Sequence, residues 1–226
     1  MSESPQARAA FERLARRPAV VTIDLHRGHL DPEVATLPLP AAASAALVER
    51  VVPLLDDYRA LALPVVHVVT SYRDRDEILA NRYWRFQADR PDSPRRAIAE
   101  HNLEWLPGRE LMPGIRREGD LVIETKKRYD CFVGTDLELV LRSGEHDAVL
   151  LLGVNTNSCV IATAIAASVR DWAVFVVAEG VDTMLGQALH EAALAVLDAS
   201  FGWTIAAETT LELLRARAAA PVTTST

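Results

Sequence analysis

Six short apolar runs recur along this chain, with longer stretches between them, several at helical spacing, and that alternation leaves few folds open. Residues 19–25 read as a buried strand, 64–70 as a second, 121–124 as a short third, 147–152 as a fourth, 173–178 as a fifth and 203–206 as a sixth. Residues 41–60 carry Ala46, Leu47, Val51, Leu54 and Leu55 at helical spacing, and 160–171 and 186–201 also read as helices. Continuously apolar strands are buried on both faces, which happens when crossover helices cover a parallel sheet. The expectation is therefore an α/β chain, doubly wound, with a mostly parallel six-stranded sheet and helices on both faces, a Rossmann-type three-layer arrangement. In such sheets ligands sit outside the carboxyl ends of the strands.

The 226 residues, 50% of them hydrophobic, suffice for one domain spanning 1–226, and no low-complexity stretch divides them. A net charge of −7 gives no support to a nucleic-acid partner. Only Cys131 and Cys159 occur, so this is no disulfide scaffold. Residues 1–17 are polar and charged, without the apolar core of a secretory signal. The longest apolar stretches contain or abut charges and fall short of the ~20 residues a bilayer requires. The expectation is a cytoplasmic protein with no membrane partner.

The most informative stretch is Leu152-Gly153-Val154-Asn155-Thr156-Asn157-Ser158-Cys159-Val160. An apolar run feeds a polar turn, which delivers a cysteine to the start of an apolar helical segment. Unpaired N–H groups and the helix dipole favour a thiolate there, and the same N–H groups can hold an oxyanion. The plainer reading is a buried cysteine serving as a small core hydrophobe. Asp24 closes the first strand and Lys126 follows the third. In isolation the one could be a turn or cap residue, and the other part of a solvated basic turn, Lys126-Lys127-Arg128. Together with Cys159 they place an acid, a cation and a thiol on one sheet edge.

Such a set has a chemistry. Asp24 can take the thiol proton and return it to a leaving amine. Lys126 would stabilise the thiolate and hold the carboxylate by charge. Cys159 would attack an amide carbonyl and leave a thioester for water to cleave. The backbone N–H groups of Cys159 and Asn155 are the candidate oxyanion hole. The six histidines are scattered, with no H-x-x-x-H or H-x-H pair, so no metal and no cofactor is expected.

At these residues the chain resembles the isochorismatase-like cysteine hydrolases, over about residues 19–214. Gly153-Val154-Asn155-Thr156-Asn157-Ser158-Cys159-Val160 resembles the family's G-V-x-T-N-x-C-V nucleophile turn. Thr125-Lys126-Lys127-Arg128-Tyr129-Asp130-Cys131-Phe132, followed by Gly134-Thr135-Asp136-Leu137, is similar to its lysine motif. Ile23-Asp24-Leu25 resembles the strand ending in its catalytic aspartate. The resemblance implies an Asp24, Lys126, Cys159 triad, a cis peptide between Val154 and Asn155, and a homo-oligomer, dimer or tetramer. Two departures narrow it. The family's D-x-Q-x-x-F opening is Asp24-Leu25-His26-Arg27-Gly28-His29, where His26 either bonds near the triad or merely packs. The Asp-x-His metal site of the nicotinamidase branch is missing from residues 70–76, which argues against that activity and against a metal.

Residues 71–119 form a long insert, of the length at which connections often act as lids. It holds Tyr83, Trp84 and Arg85 within a cluster of aromatic and arginine residues that could read a substrate or form a subunit contact. Arg128, Tyr129 and Phe132, just after the lysine, are better placed to line a pocket. Cys131 reads as structural, Thr163 as helix packing, and Glu179 and Asp182 as acids that either reach the site edge or cap the next helix. The leading expectation is a metal-free cysteine amidohydrolase of a small ureido or carbamoyl compound of the biuret, triuret or N-carbamoyl amino acid type. The alternatives are hydrolysis of a cyclic amide, isochorismate-type vinyl ether hydrolysis, and a non-catalytic binding protein of the same fold.

Overall fold

The computed structural model describes residues 3–219. Its strands are β1 (Pro18–Ile23), β2 (Val65–Thr70), β3 (Leu121–Lys126), β4 (Ala148–Val154), β5 (Ala173–Asp182) and β6 (Trp203–Ile205). The helices are α1 (Ala7–Leu14), α2 (Arg27–Leu30), α3 (Ala41–Ala60), α4 (Arg75–Leu79), α5 (Arg82–Ala88), α6 (Leu137–Ser143), α7 (Ile161–Ser168), α8 (Gln187–Ser200) and α9 (Ala207–Ala219). The strands form one sheet in the order β3-β2-β1-β4-β5-β6, and every pairing is parallel.

β1, β2 and β4 are buried at every position because both faces are covered, whereas the edge strand β3 leaves Leu121, Glu124 and Thr125 exposed. On one face Val20, Leu150 and Phe175 pack with Phe11 of α1, Leu47 and Val51 of α3 and Leu211 of α9. On the other, Val21, Leu151 and Val176 pack with Leu141 of α6, Ala164 of α7 and Leu194 of α8. The alternation follows from the two-residue period of a strand. The chain winds from β1 outward through β2 to β3, then returns to lay β4 on the other side of β1. That reversal opens a crevice at the carboxyl ends of β1 and β4.

Strand ends differ from the sequence reading where the site begins. β1 stops at Ile23, because Asp24 turns into the left-handed region at φ 54° and leaves the ladder. β3 runs on to Lys126, paired with Thr70 of β2. β5 continues to Asp182 through a register shift opposite Leu151 and Gly153. The helix expected over 160–171 begins instead as a π-turn, Thr156–Val160, and α7 ends at Ser168. The insert is not a bare loop: α4, α5 and two short 3-10 turns pack Ile78, Trp84, Ile98 and Leu103 against Leu37 and Tyr72. No helix of the described residues is long and apolar enough to cross a membrane.

Candidate active site

Three neighbouring strands and one turn bring four side chains together. Asp24 follows β1, Thr70 ends β2, Lys126 ends β3 and Cys159 lies in the π-turn after β4. All are at least 95% buried. Asp24 Oδ1 accepts from the Thr70 N–H at 3.0 Å and from Thr70 Oγ1 at 2.8 Å. Lys126 Nζ donates to Asp24 Oδ2 at 2.6 Å, to Thr70 Oγ1 at 2.6 Å and to Cys159 Sγ at 3.4 Å. The three ammonium donors thus have three acceptors, which a buried cation needs.

The charge states follow. Burial alone would raise the pKa of Asp24, but the Lys126 charge outweighs it and holds the carboxyl well below its usual range. Burial would likewise lower Lys126, and Asp24 with Cys159 holds it well above the ordinary ammonium value. Cys159 differs from the expectation of a thiolate favoured by a helix start. Burial pushes its thiol up to about 12, against the pull of Lys126, so the free protein holds a neutral thiol beside a carboxylate and an ammonium. The reason is that Lys126 has already spent its charge on Asp24, and a single π-turn offers little dipole against complete burial.

The nucleophile turn is fixed from several sides. Gly153 sits at φ 127° opposite Ile23, where a Cβ would lie 2.0 Å from the Ile23 carbonyl oxygen. The Val154–Asn155 peptide is cis. The N–H groups of Ser158 and Val160 close on the Asn155 carbonyl at 3.0 and 3.2 Å, leaving the Cys159 N–H between them outside that pair. Asn155 Oδ1 accepts from the Met184 N–H at 2.8 Å, which turns the side chain toward the end of β5. Thr163 Oγ1 donates to the Cys159 carbonyl at 2.8 Å and accepts from the Cys131 N–H at 3.2 Å, a packing role within α7. Cys131 is buried in the core, its thiol pushed up by burial.

A narrow cavity, part of it open to solvent, lies over this cluster. Of the residues expected to read substrate, Arg128, Tyr129 and Trp84 line it. Trp84 Nε1 donates to the Tyr129 hydroxyl at 2.8 Å, and the Arg128 guanidinium lies 5.2 Å from the Trp84 ring. Phe132 does not reach the cavity; it stacks on Trp172 at 5.5 Å within the core. Tyr83 and Arg85 are exposed on the outer side of α5, because Trp84 is the residue of that turn that faces inward. His26 is fully buried behind Asp24, its Nε2 3.4 Å from Asp24 Oδ1, rather than on the cavity wall.

The sequence reading missed Thr70, Arg95 and a histidine cluster. Thr70 could have been found as the polar end of an apolar strand. Arg95 and His101 sit in the insert, where no periodicity guides placement. His26, His29 and His101 are not scattered: the His26 and His29 rings stack at 4.9 Å, and His101 lies 4.7 Å from His29. His29 Nδ1 donates to the Leu37 carbonyl at 2.7 Å, and His101 Nδ1 bonds Thr36 Oγ1 at 2.8 Å. Asn102 Nδ2 donates to His26 Nε2 at 2.9 Å and to the Thr70 carbonyl at 2.8 Å, tying the cluster to the site. A side chain at Gly28 would collide with Asn102, its Cβ 2.0 Å from Oδ1. Burial lowers the pKa of His29 to about 3 and holds His101 well below its usual value, so both rings are neutral. One ring nitrogen from each of the three lies within 4.8 Å of the others, the one group of the described residues that could hold a metal ion.

The sequence profile of the isochorismatase domain matches residues 18–209. The chain belongs to the isochorismatase family. Within the family it is similar to maleamate amidohydrolase of Pseudomonas putida, 25% identical over 222 residues that cover 95% of this chain and 98% of the relative. Its fold matches a cysteine hydrolase from Pseudomonas syringae pv. phaseolicola with a TM-score of 0.76, at 20% identity over 90% of this chain and 97% of the other. N-carbamoylsarcosine amidase from Thermoplasma acidophilum superposes with a TM-score of 0.64, at 25% identity over 85% and 97%. The isochorismatase-family fold thus carries amidohydrolases among its members, and this protein is a hydrolase of that family.

Proposed function

We propose that the protein hydrolyses a C–N bond of a small ureido or carbamoyl compound, with Asp24, Lys126 and Cys159 as the catalytic triad. The observation that carries this reading is the placement of Lys126 Nζ between Asp24 Oδ2, at 2.6 Å, and Cys159 Sγ, at 3.4 Å, beneath the cavity. Asp24, ionised and bonded by Thr70, accepts the thiol proton as Cys159 Sγ bonds to the carbonyl carbon. The oxyanion is held by the N–H groups of Cys159 and Asn155. Collapse breaks the C–N bond, and Asp24 returns its proton to the departing ammonia or amine. Water, deprotonated in turn by Asp24, cleaves the thioester (a thiocarbamate for a ureido substrate) and restores the thiol. The similarity to maleamate amidohydrolase and N-carbamoylsarcosine amidase supports amide chemistry.

The test is ammonia release from biuret, triuret, N-carbamoyl amino acids, maleamate, nicotinamide and a lactam, with Cys159→Ala in parallel. Turnover of a ureido compound that vanishes in Cys159→Ala is expected. Turnover that survives loss of the thiol would overturn the mechanism.

A further inference from the structure

Arg95 is 6% exposed, lies on the cavity wall and has its guanidinium carbon 5.8 Å from the centre of the Tyr129 ring. Among the described residues no carboxylate lies within 4.0 Å of it, and its side chain makes no hydrogen bond; only its backbone is bonded, the N–H to Ser93 Oγ and the carbonyl to the Ile98 N–H. Arg59 shows what a buried guanidinium usually requires. At 16% exposure it is tied to Asp120, Asp56 and the Ile115 carbonyl. A buried cation with no counter-charge is costly, so its retention on a cavity wall points to a partner that arrives from outside.

The charges around the cavity sharpen this. Lys126 and Asp24 cancel, and the carboxylate oxygens of Asp24 are taken by Lys126 and Thr70. Arg128 also lines the cavity; besides lying over the Trp84 ring it bonds only the carbonyls of Glu77 and Lys127, and no carboxylate. Two guanidinium groups therefore face a space with no free carboxylate. We propose that the substrate bears a carboxylate that seats on Arg95, with Arg128 adding charge, while its carbamoyl carbon meets Cys159. The substrate class is thus a short N-carbamoyl or ω-amide acid, and not a neutral ureide such as biuret. The inference rests on the hydrolase reading for the carbamoyl end alone; the anion seat stands on Arg95 itself. A planar guanidinium accepts a carboxylate through two parallel N–H bonds, which also fixes the orientation of the far end.

The experiment separates the two readings by measuring binding without turnover. In Cys159→Ala protein, N-carbamoylglycine, N-carbamoyl-β-alanine, succinamate and maleamate are titrated by calorimetry, each beside its neutral carboxamide. At least one acid binds more tightly than its amide by about 30-fold or more, and Arg95→Gln abolishes the difference while leaving amide binding unchanged. Arg95→Lys, which keeps the charge but not the fork, retains part of it. A structural role for Arg95 would make Arg95→Gln melt lower; an unpaired cation kept for a ligand makes the ligand-free variant melt at the same or a higher temperature. Saturating acid raises the melting temperature of the Cys159→Ala protein but not when Arg95→Gln is added. No acid binding better than its amide, or a preference that survives in Arg95→Gln, overturns the proposal. If the preference is present but no substrate is hydrolysed, the anion seat stands and the hydrolase reading falls.

Discussion

Lys126 and Asp24 form a buried ion pair, 2.6 Å between Nζ and Oδ2, across the ends of two strands that are not neighbours in the sheet. Thr70, on the strand between them, supplies the hydroxyl that both contact. Removing one member leaves the other uncompensated, at a cost of about 3–5 kcal/mol. Lys126→Met should therefore lower the denaturant midpoint sharply, and Asp24→Asn/Lys126→Met should recover much of it. Both variants lose activity by about 10²–10⁴-fold or more. Wild-type kcat/KM in Lys126→Met would remove the pair from the mechanism, whatever its effect on stability.

The thiol of Cys159 is expected to behave as an ordinary buried thiol in the free protein. Because burial pushes its pKa up to about 12, alkylation by iodoacetamide should be slow at pH 7 and still climb above pH 9. Peptide mapping separates it from Cys131, whose thiol burial also raises. Lys126→Met should slow the reaction further. A rate that levels off below pH 7 would mean a standing thiolate, and Asp24 would then have no thiol proton to accept.

The histidine cluster makes the fold acid-sensitive. The unfolded chain binds a proton at each histidine near pH 6.5, whereas His29 resists until about 3 and His101 is shifted the same way. The unfolded state thus holds more protons in that window, so stability is full above about pH 6.5 and is lost as pH falls toward 3. For His29 the loss comes to about 2 kcal/mol by pH 5, and His101 adds a loss of the same sign. Urea midpoints at pH 7 and pH 5 should differ, and the difference should shrink in His29→Asn and in His101→Gln. His67 and His190 are lowered too and leave a residual slope. An undiminished slope in both variants would show that the cluster titrates elsewhere.

The same cluster bears on metal dependence. Its ring nitrogens lie within 4.8 Å of one another, while ligands of a tetrahedral zinc site at 2.0–2.1 Å stand about 3.3 Å apart. His26 Nε2 already accepts from Asn102 Nδ2 and His29 Nδ1 is held by the Leu37 carbonyl, so ring nitrogens of the cluster are engaged within the protein. Activity should survive a chelator, and elemental analysis of the purified protein should find less than one metal per chain. Stoichiometric zinc that His101→Ala removes would establish a metal site here.

The sheet was legible because its evidence is periodic: apolar runs of strand length recur between helical stretches, and the central ones are buried on both sides, although the third lies at an exposed edge. The order of Asp24, Lys126 and Cys159 at strand ends was legible for the same reason. What escaped was set by tertiary contact. Phe132 follows the lysine closely in sequence, yet the turn carries it over to Trp172 in the core. His26 and His101 are 75 residues apart, and nothing local signals that the insert folds back to bring their rings within 5.5 Å; Arg95 enters the cavity by the same return. The charge state of Cys159 also depended on partners: a sequence shows a cysteine before a helix, but not how deeply it is buried or where the lysine's charge is spent.

Gly153 takes no part in the chemistry, yet the spacing between acid and nucleophile depends on it. Its missing side chain lets β4 close against the Ile23 carbonyl, one residue before Asp24. Any larger residue would wedge the two strand ends apart and widen the gap that a proton has to cross. In a saturation scan this plain position should be as intolerant as Cys159 itself, failing by distance where the cysteine fails by reactivity.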